Sequence, residues 1–161
     1  MVNEVVKDMI IYFGGDVTRI NHAMKVYGFS KTIGELENLD ENKQLILELT
    51  AVLHDIGIKV SEKKYNSSAV RYQEIEDPAV AKVILGKYNL SDDMISRILY
   101  IIGNHHSYNK IDSKEFQILV EADCLVNIFE DNMDKAGIEY VKNKWFKTTS
   151  GLKLLLSIYK C

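Results

Sequence analysis

Leu45-Ile46-Leu47-Glu48-Leu49-Thr50-Ala51-Val52-Leu53-His54-Asp55-Ile56-Gly57 is a greasy, helix-like run that closes on two adjacent ionisable residues and a glycine. Burying an imidazole and a carboxylate together is costly unless something compensates them. A divalent cation does so, because neutral imidazole and ionised carboxylate are its natural ligands. Further donors lie on either side of the run: His22 upstream, and His105, His106 and Asp123 downstream.

Working outward, helical periodicity dominates. From Asp16 to Leu36, apolar residues fall at Ile20, Ala23, Met24, Tyr27 and Ile33, mostly three or four apart. Gly14-Gly15 marks a turn before this first core helix. Asp40 is the expected N-cap of the helix that runs through Leu45, Leu49, Val52 and Leu53, and Gly57 is its expected terminator. Residues 58–75, with Ser61, Tyr65, Asn66, Ser67 and Ser68, read as a long irregular loop of the kind that is often functional. Asp77-Pro78 reads as N-cap and first position of a helix through Val80, Val83 and Ile84. Ser91 caps a helix whose face Ile95, Ile98, Leu99 and Ile102 continues to His105 and His106. Ser113 starts another, with Phe116, Leu119, Val120, Asp123 and Val126 along one side. Residues 136–160 predict one or two more helices, interrupted around Thr148-Thr149-Ser150-Gly151, with Trp145 and Phe146 as anchors. Strand signals are weak throughout. The fold class expected is all-α: a single-domain bundle of about six to eight helices over residues 1–161, with a core over about 16–130 and a C-terminal helical extension over 131–161.

Composition narrows the partners. The chain has 161 residues, enough for one domain with a proper core, and 47% hydrophobic with 27% charged residues is ordinary for a soluble protein. A net charge of -3 argues against a polymeric nucleic-acid partner. No apolar run approaches the roughly 18 residues of a membrane span. The first residues lack the pattern of a signal peptide. Cys124 and Cys161 are too few for a disulfide framework, so a cytoplasmic, reduced setting is expected.

Each ionisable residue also has a plain structural reading. Asp123, among Leu119, Val120, Leu125 and Val126, is drawn inward and needs a partner, which an ion pair supplies as well as a metal does. His22 alone reads as a satisfied core histidine. His105-His106 at a helix end complements the macrodipole. Taken together, all 4 histidines fall on or at the end of a predicted helix. That economy favours a site.

His22, His54-Asp55 and Asp123, in that order, resemble the H…HD…D signature of the HD-domain superfamily of metal-dependent phosphohydrolases. Arg19-Ile20-Asn21-His22, Leu53-His54-Asp55-Ile56-Gly57 and Glu121-Ala122-Asp123 carry the likeness. It implies one ion held by His22, His54, Asp55 and Asp123. Members with a second ion add two histidines between the HD pair and the last aspartate. The later one corresponds here to His105 or His106, His105 being preferred because it continues the Ile98–Ile102 face. Where such members have a histidine before Gly-Pro, this chain has Glu76-Asp77-Pro78, and Glu76 is the residue that would ligate through oxygen. The metal expected is Mn, Fe, Co, Ni, Zn or Mg.

A bound divalent ion supplies activated water and polarises a phosphoryl oxygen. Asp55 has two oxygens and so can bridge two ions. Arg19, Lys59 and Arg71 are the cations available to offset phosphate charge, each with a solvated-surface alternative. Lys59 resembles loosely the lysine of an HDxxK variant. Glu74 and Glu76 are the acid/base or orienting carboxylates. The activity implied is hydrolysis of a small phosphoester, most plausibly a nucleotide. A non-catalytic metal- or ligand-binding regulatory module and an HD-like di-iron oxygenase, the latter depending on Glu76, are the alternatives. Oligomeric state is left open.

Overall fold

A computed structural model describes residues 1–160; Cys161 lies outside the described residues. The elements are α1 (Val2–Phe13), α2 (Val17–Leu36), α3 (Glu41–Leu53), α4 (Ile58–Tyr65), α5 (Val70–Leu85), α6 (Asp92–Asn104), a 3-10 turn (Tyr108–Lys110), α7 (Lys114–Glu130), α8 (Lys135–Trp145) and α9 (Thr149–Tyr159). No strand occurs among the described residues, so the fold is all-helical. None of the helices is long and apolar enough to cross a membrane.

Side-chain caps fix where the core helices begin. Asp16, Asp40, Ser91 and Ser113 accept from the backbone N–H groups of Arg19, Lys43, Met94 and Phe116. Each satisfies a donor that a helix start leaves unpaired. Helix α3 then runs between two apolar clusters, turning Leu47 and Ala51 to one and Leu49, Val52 and Leu53 to the other. That position explains why residues 47–54 are buried without a break. An amphipathic surface helix would alternate faces; a helix between two clusters can be apolar all round. Helix α7 is buried in the same way from Ile118 to Val126. It carries Asp123 inward with Leu119 and Val120, and α2 packs against both α3 and α7.

The structure differs from the expected pattern between residues 58 and 78. The long loop is absent: α4 fills Ile58–Tyr65, and α5 starts at Val70. Helix α4 is short and polar, so its periodicity is faint; packing on α5 holds it. Asn66, left-handed at φ 50°, ends it. Asp77-Pro78 opens no helix, since Pro78 lies inside α5. Proline there lacks an N–H and crowds the carbonyl four residues back. A neighbouring glycine accommodates it, because a Cβ on Gly103 of α6 would stand 3.1 Å from Pro78 Cγ. Gly57 is likewise the N-cap of α4 as well as the end of the HD turn.

Candidate metal centre

Three helices end on, or carry, a histidine that faces one point. His54 is the C-cap of α3, His105 the C-cap of α6, and His22 lies in α2. His22 Nε2 stands 3.1 Å from His54 Nε2. Asp123 Oδ1 lies 3.3 Å from His22 Nε2 and 3.7 Å from His54 Nε2. Asp55 Oδ2 lies 3.5 Å and 3.4 Å from the same two nitrogens. Its other oxygen, Oδ1, lies 3.3 Å from His105 Nε2. The donors therefore form two overlapping sets, His22–His54–Asp123 and His54–Asp55–His105.

The orientation of the rings decides which atoms are available. His54 Nδ1 donates to the Ala51 carbonyl at 2.8 Å, and His105 Nδ1 to the Ile102 carbonyl at 2.7 Å. His22 Nδ1 donates to Glu130 Oε2 at 2.8 Å. With each Nδ1 so placed, each Nε2 is the ring atom left to face the common point, open to a cation once its proton is displaced. Asp55 Oδ1, Asp123 Oδ1 and His105 Nε2 are buried with no hydrogen-bond partner. Donors about 2.1 Å from one ion stand roughly 3.0–3.4 Å from each other, and the separations found run from 3.1 to 3.7 Å. The set fits a divalent cation.

Electrostatics point the same way. Burial opposes charge on His22, but Asp123, Asp55 and Glu130 outweigh it and raise the imidazole to about 9. Burial is likewise outweighed at His54 by Asp55 and Asp123, again to about 9. Burial pushes Asp55 upward, yet His54 and His105 hold it well below the usual carboxylate range. The centre thus demands positive charge, supplied by protons or by a metal that displaces them.

Other sequence-nominated residues are placed as follows. His106 turns aside: its ring packs 3.9 Å from that of His105, and its Nε2 lies 3.4 Å from Gln73 Oε1. Burial, then the neighbouring His105, lowers it to about 4. Glu76 does not join the cluster, since its Oε1 accepts from Lys64 Nζ and Tyr65 OH, each at 2.8 Å. The six-ligand oxygenase reading, which depended on Glu76, loses its ligand. Glu74 accepts from Ser107 Oγ at 3.0 Å. Arg19 lines a cavity with His22 and Asp55. Lys59 instead donates to the carbonyls of Tyr12 and Phe13 at the end of α1, and Arg71 lies over the Tyr72 ring, 4.6 Å from its centroid.

Two residues that the sequence reading passed over shape the centre. Glu130, which orients His22 and also pairs with Lys25, lies seven residues after Asp123. That spacing puts both on one face of α7, two turns apart, and is the signal that could have found it. Asp77 is fully buried against the HD turn, where its Oδ1 accepts from Gly57 N at 2.7 Å and its Oδ2 has no partner. Its place before Pro78 had the look of a cap. Burial, then Asp55, raises this carboxyl to about 8.

These shifts fix a pH dependence for chelator-treated protein. His22 and His54 rise from 6.5 to about 9, so the stability they contribute is complete below 6.5 and lost as pH rises through 9. Asp77 rises from 3.8 to about 8, so between those values the folded chain holds a proton that the unfolded chain has shed. Stability falls with pH there too. In EDTA the melting temperature is expected to drop steadily from about pH 6.5 to 9, and added divalent cation to flatten that drop. A melting temperature in EDTA that is level or rising across the window would contradict this account.

A helical bundle that brings three imidazoles and two carboxylates into two overlapping donor sets has clusters that could hold a divalent metal. The family is a particular one: the model described as "HD domain" matches residues 19–128, and the chain belongs to that family, typical of metal-dependent phosphohydrolases. The fold is shared with a crystal structure described as a predicted HD superfamily hydrolase from an uncultured Thermotogales bacterium. The TM-score is 0.71 at 20% identity, over 98% of this chain and 84% of that one. Among curated proteins none matches significantly.

Proposed function

We propose that this protein hydrolyses a small phosphate ester of the nucleotide class at a divalent cation held by His22, His54, Asp55 and Asp123. The observation that carries this reading is the convergence of the Nε2 atoms with two carboxylates, each Nδ1 being tied elsewhere. A bound ion there supplies water of lowered pKa and polarises the phosphoryl oxygen.

The chain's own residues do the rest. Ala51, Ile102 and Glu130 fix the three tautomers, so the centre needs little reorganisation. Asp55 turns one oxygen to His22 and His54 and the other to His105, which suits a carboxylate shared by two ions. It is also the most open of the ligands, its side chain being 26% exposed, so substrate approaches over Asp55 and His22 rather than over His54. Arg19 stands on that approach.

Protein loaded in turn with Mn, Co, Ni, Zn and Mg is expected to release phosphate from at least one member of a panel of nucleotides and simple phosphomonoesters. Full metal occupancy with no release from any member, and ligands that bind intact, would instead make the chain a regulatory module.

A further inference from the structure

A cavity of about 160 Å³ opens beside the metal centre, lined by Phe13, Ala23, Val52, Ile56 and Ile58 on its apolar side. His22, Asp55, Thr18, Arg19 and Glu130 complete the lining. From this cavity we infer that the protein selects phosphomonoesters whose leaving group carries one compact, uncharged ring, and rejects di- and triphosphates; the inference rests on the hydrolase reading above and names its substrate class.

Size comes first. A dry, apolar protein cavity of about 150 Å³ takes up a benzene ring. The cavity therefore holds one ring-sized group, with the remainder of a larger ester lying over its rim. Its apolar side is drawn from α1, α2, α3, the HD turn and the start of α4, so a flat ring seated on that side meets apolar side chains, with the polar residues lining the side toward the metal centre.

Charge decides the phosphate count. Arg19 is the one lysine or arginine among the lining residues, and it is already engaged at both ends. Its Nη1 meets Asp16 Oδ2 at 2.8 Å, and its Nη2 meets Glu62 Oε1. Lys25, the nearest further cation on α2, is bound by Glu130. Lys59 is turned onto the carbonyls ending α1. The lining adds two carboxylates of its own, Asp55 and Glu130. The reacting phosphoryl group is offset at the metal centre. A second or third phosphoryl group would bring negative charge to a wall that has no uncommitted cation for it, and an unmatched anion leaving water is penalised.

The test uses metal-loaded, full-length protein. For one nucleoside offered as mono-, di- and triphosphate, kcat/KM is expected to fall on the order of 100-fold from mono to tri. Phenyl phosphate is expected to be a better substrate than methyl phosphate by at least about 10-fold. Glu62→Gln, which releases one side of Arg19, should raise kcat/KM for the triphosphate and leave that for the monophosphate unchanged. Ile58→Trp, which narrows the cavity, should raise KM for phenyl phosphate by a larger factor than for methyl phosphate. Turnover of the triphosphate at least as fast as the monophosphate, or equal turnover of the phenyl and methyl esters, overturns the inference and leaves the hydrolase reading standing. Should nothing be turned over, the hydrolase reading falls, and binding decides the inference by itself. Phenylphosphonate must then bind at least about 10-fold tighter than methylphosphonate, and equal affinity refutes it.

Discussion

His54→Ala protein is expected to lose its divalent cation and, with it, phosphate release. His54 is the one residue shared by both donor sets. Its Nε2 faces His22, Asp55 and Asp123. Removing an outer partner of a metal ligand typically weakens binding by about 10–100-fold. Loss of a ligand common to both sets is expected to exceed that, and metal analysis after dialysis should find the variant essentially empty. Glu76→Gln is the matched control. Its carboxylate answers to Lys64 and Tyr65, so metal content should match the wild type. Helical circular dichroism of both variants in EDTA separates ligand loss from unfolding. Full metal content in folded His54→Ala would remove the basis of the proposed centre.

The largest effect on stability is expected from Gly57→Ala. A Cβ on Gly57 would stand 2.4 Å from Asp77 N and from Glu76 C, both backbone atoms of α5. Backbone cannot swing aside as a side-chain tip can, so the HD turn and α5 must separate. That movement also breaks the hydrogen bond from Gly57 N to Asp77 Oδ1, leaving a buried carboxyl without its donor. Overpacking of a core costs about 1–3 kcal/mol, and this contact lies at the upper end or beyond. About 3 kcal/mol in a chain of this size lowers the melting temperature by roughly 6–12 °C. Gly15→Ala is the comparison, since a Cβ there meets nothing within 4 Å. A Gly57→Ala protein that melts with Gly15→Ala would show that α5 does not press on the turn.

What was legible in the sequence follows from how each signal arises. Asp40, Ser91 and Ser113 are caps, and capping is local chemistry that the sequence states directly. The burial of Leu47–Leu53 and of the Asp123 stretch follows from long apolar segments that no single face could explain. The 58–78 region resisted because its order is tertiary. Helix α4 has few apolar residues of its own, and Pro78 sits inside a helix only because Gly103 makes room. Helix α1 was not singled out, although Val5, Met9 and Phe13 recur four apart and bury one face. Glu76 and Asp77 exchanged importance for the same reason: a helix running through Pro78 turns Asp77 to the HD turn and Glu76 to α4. A helix starting there had left both orientations open.

The two histidines that end α3 and α6 are also the hydrogen-bond donors of their own last turns, to Ala51 and Ile102. In each, one ring both finishes its helix and offers its Nε2 to the candidate metal centre. When either helix end frays, the imidazole loses the carbonyl that fixes its tautomer and swings out of register with the ion. If the proposed cation is held there, its exchange with solution is expected to follow the opening of those two turns, so that loss to a chelator would track local unfolding at those helix ends.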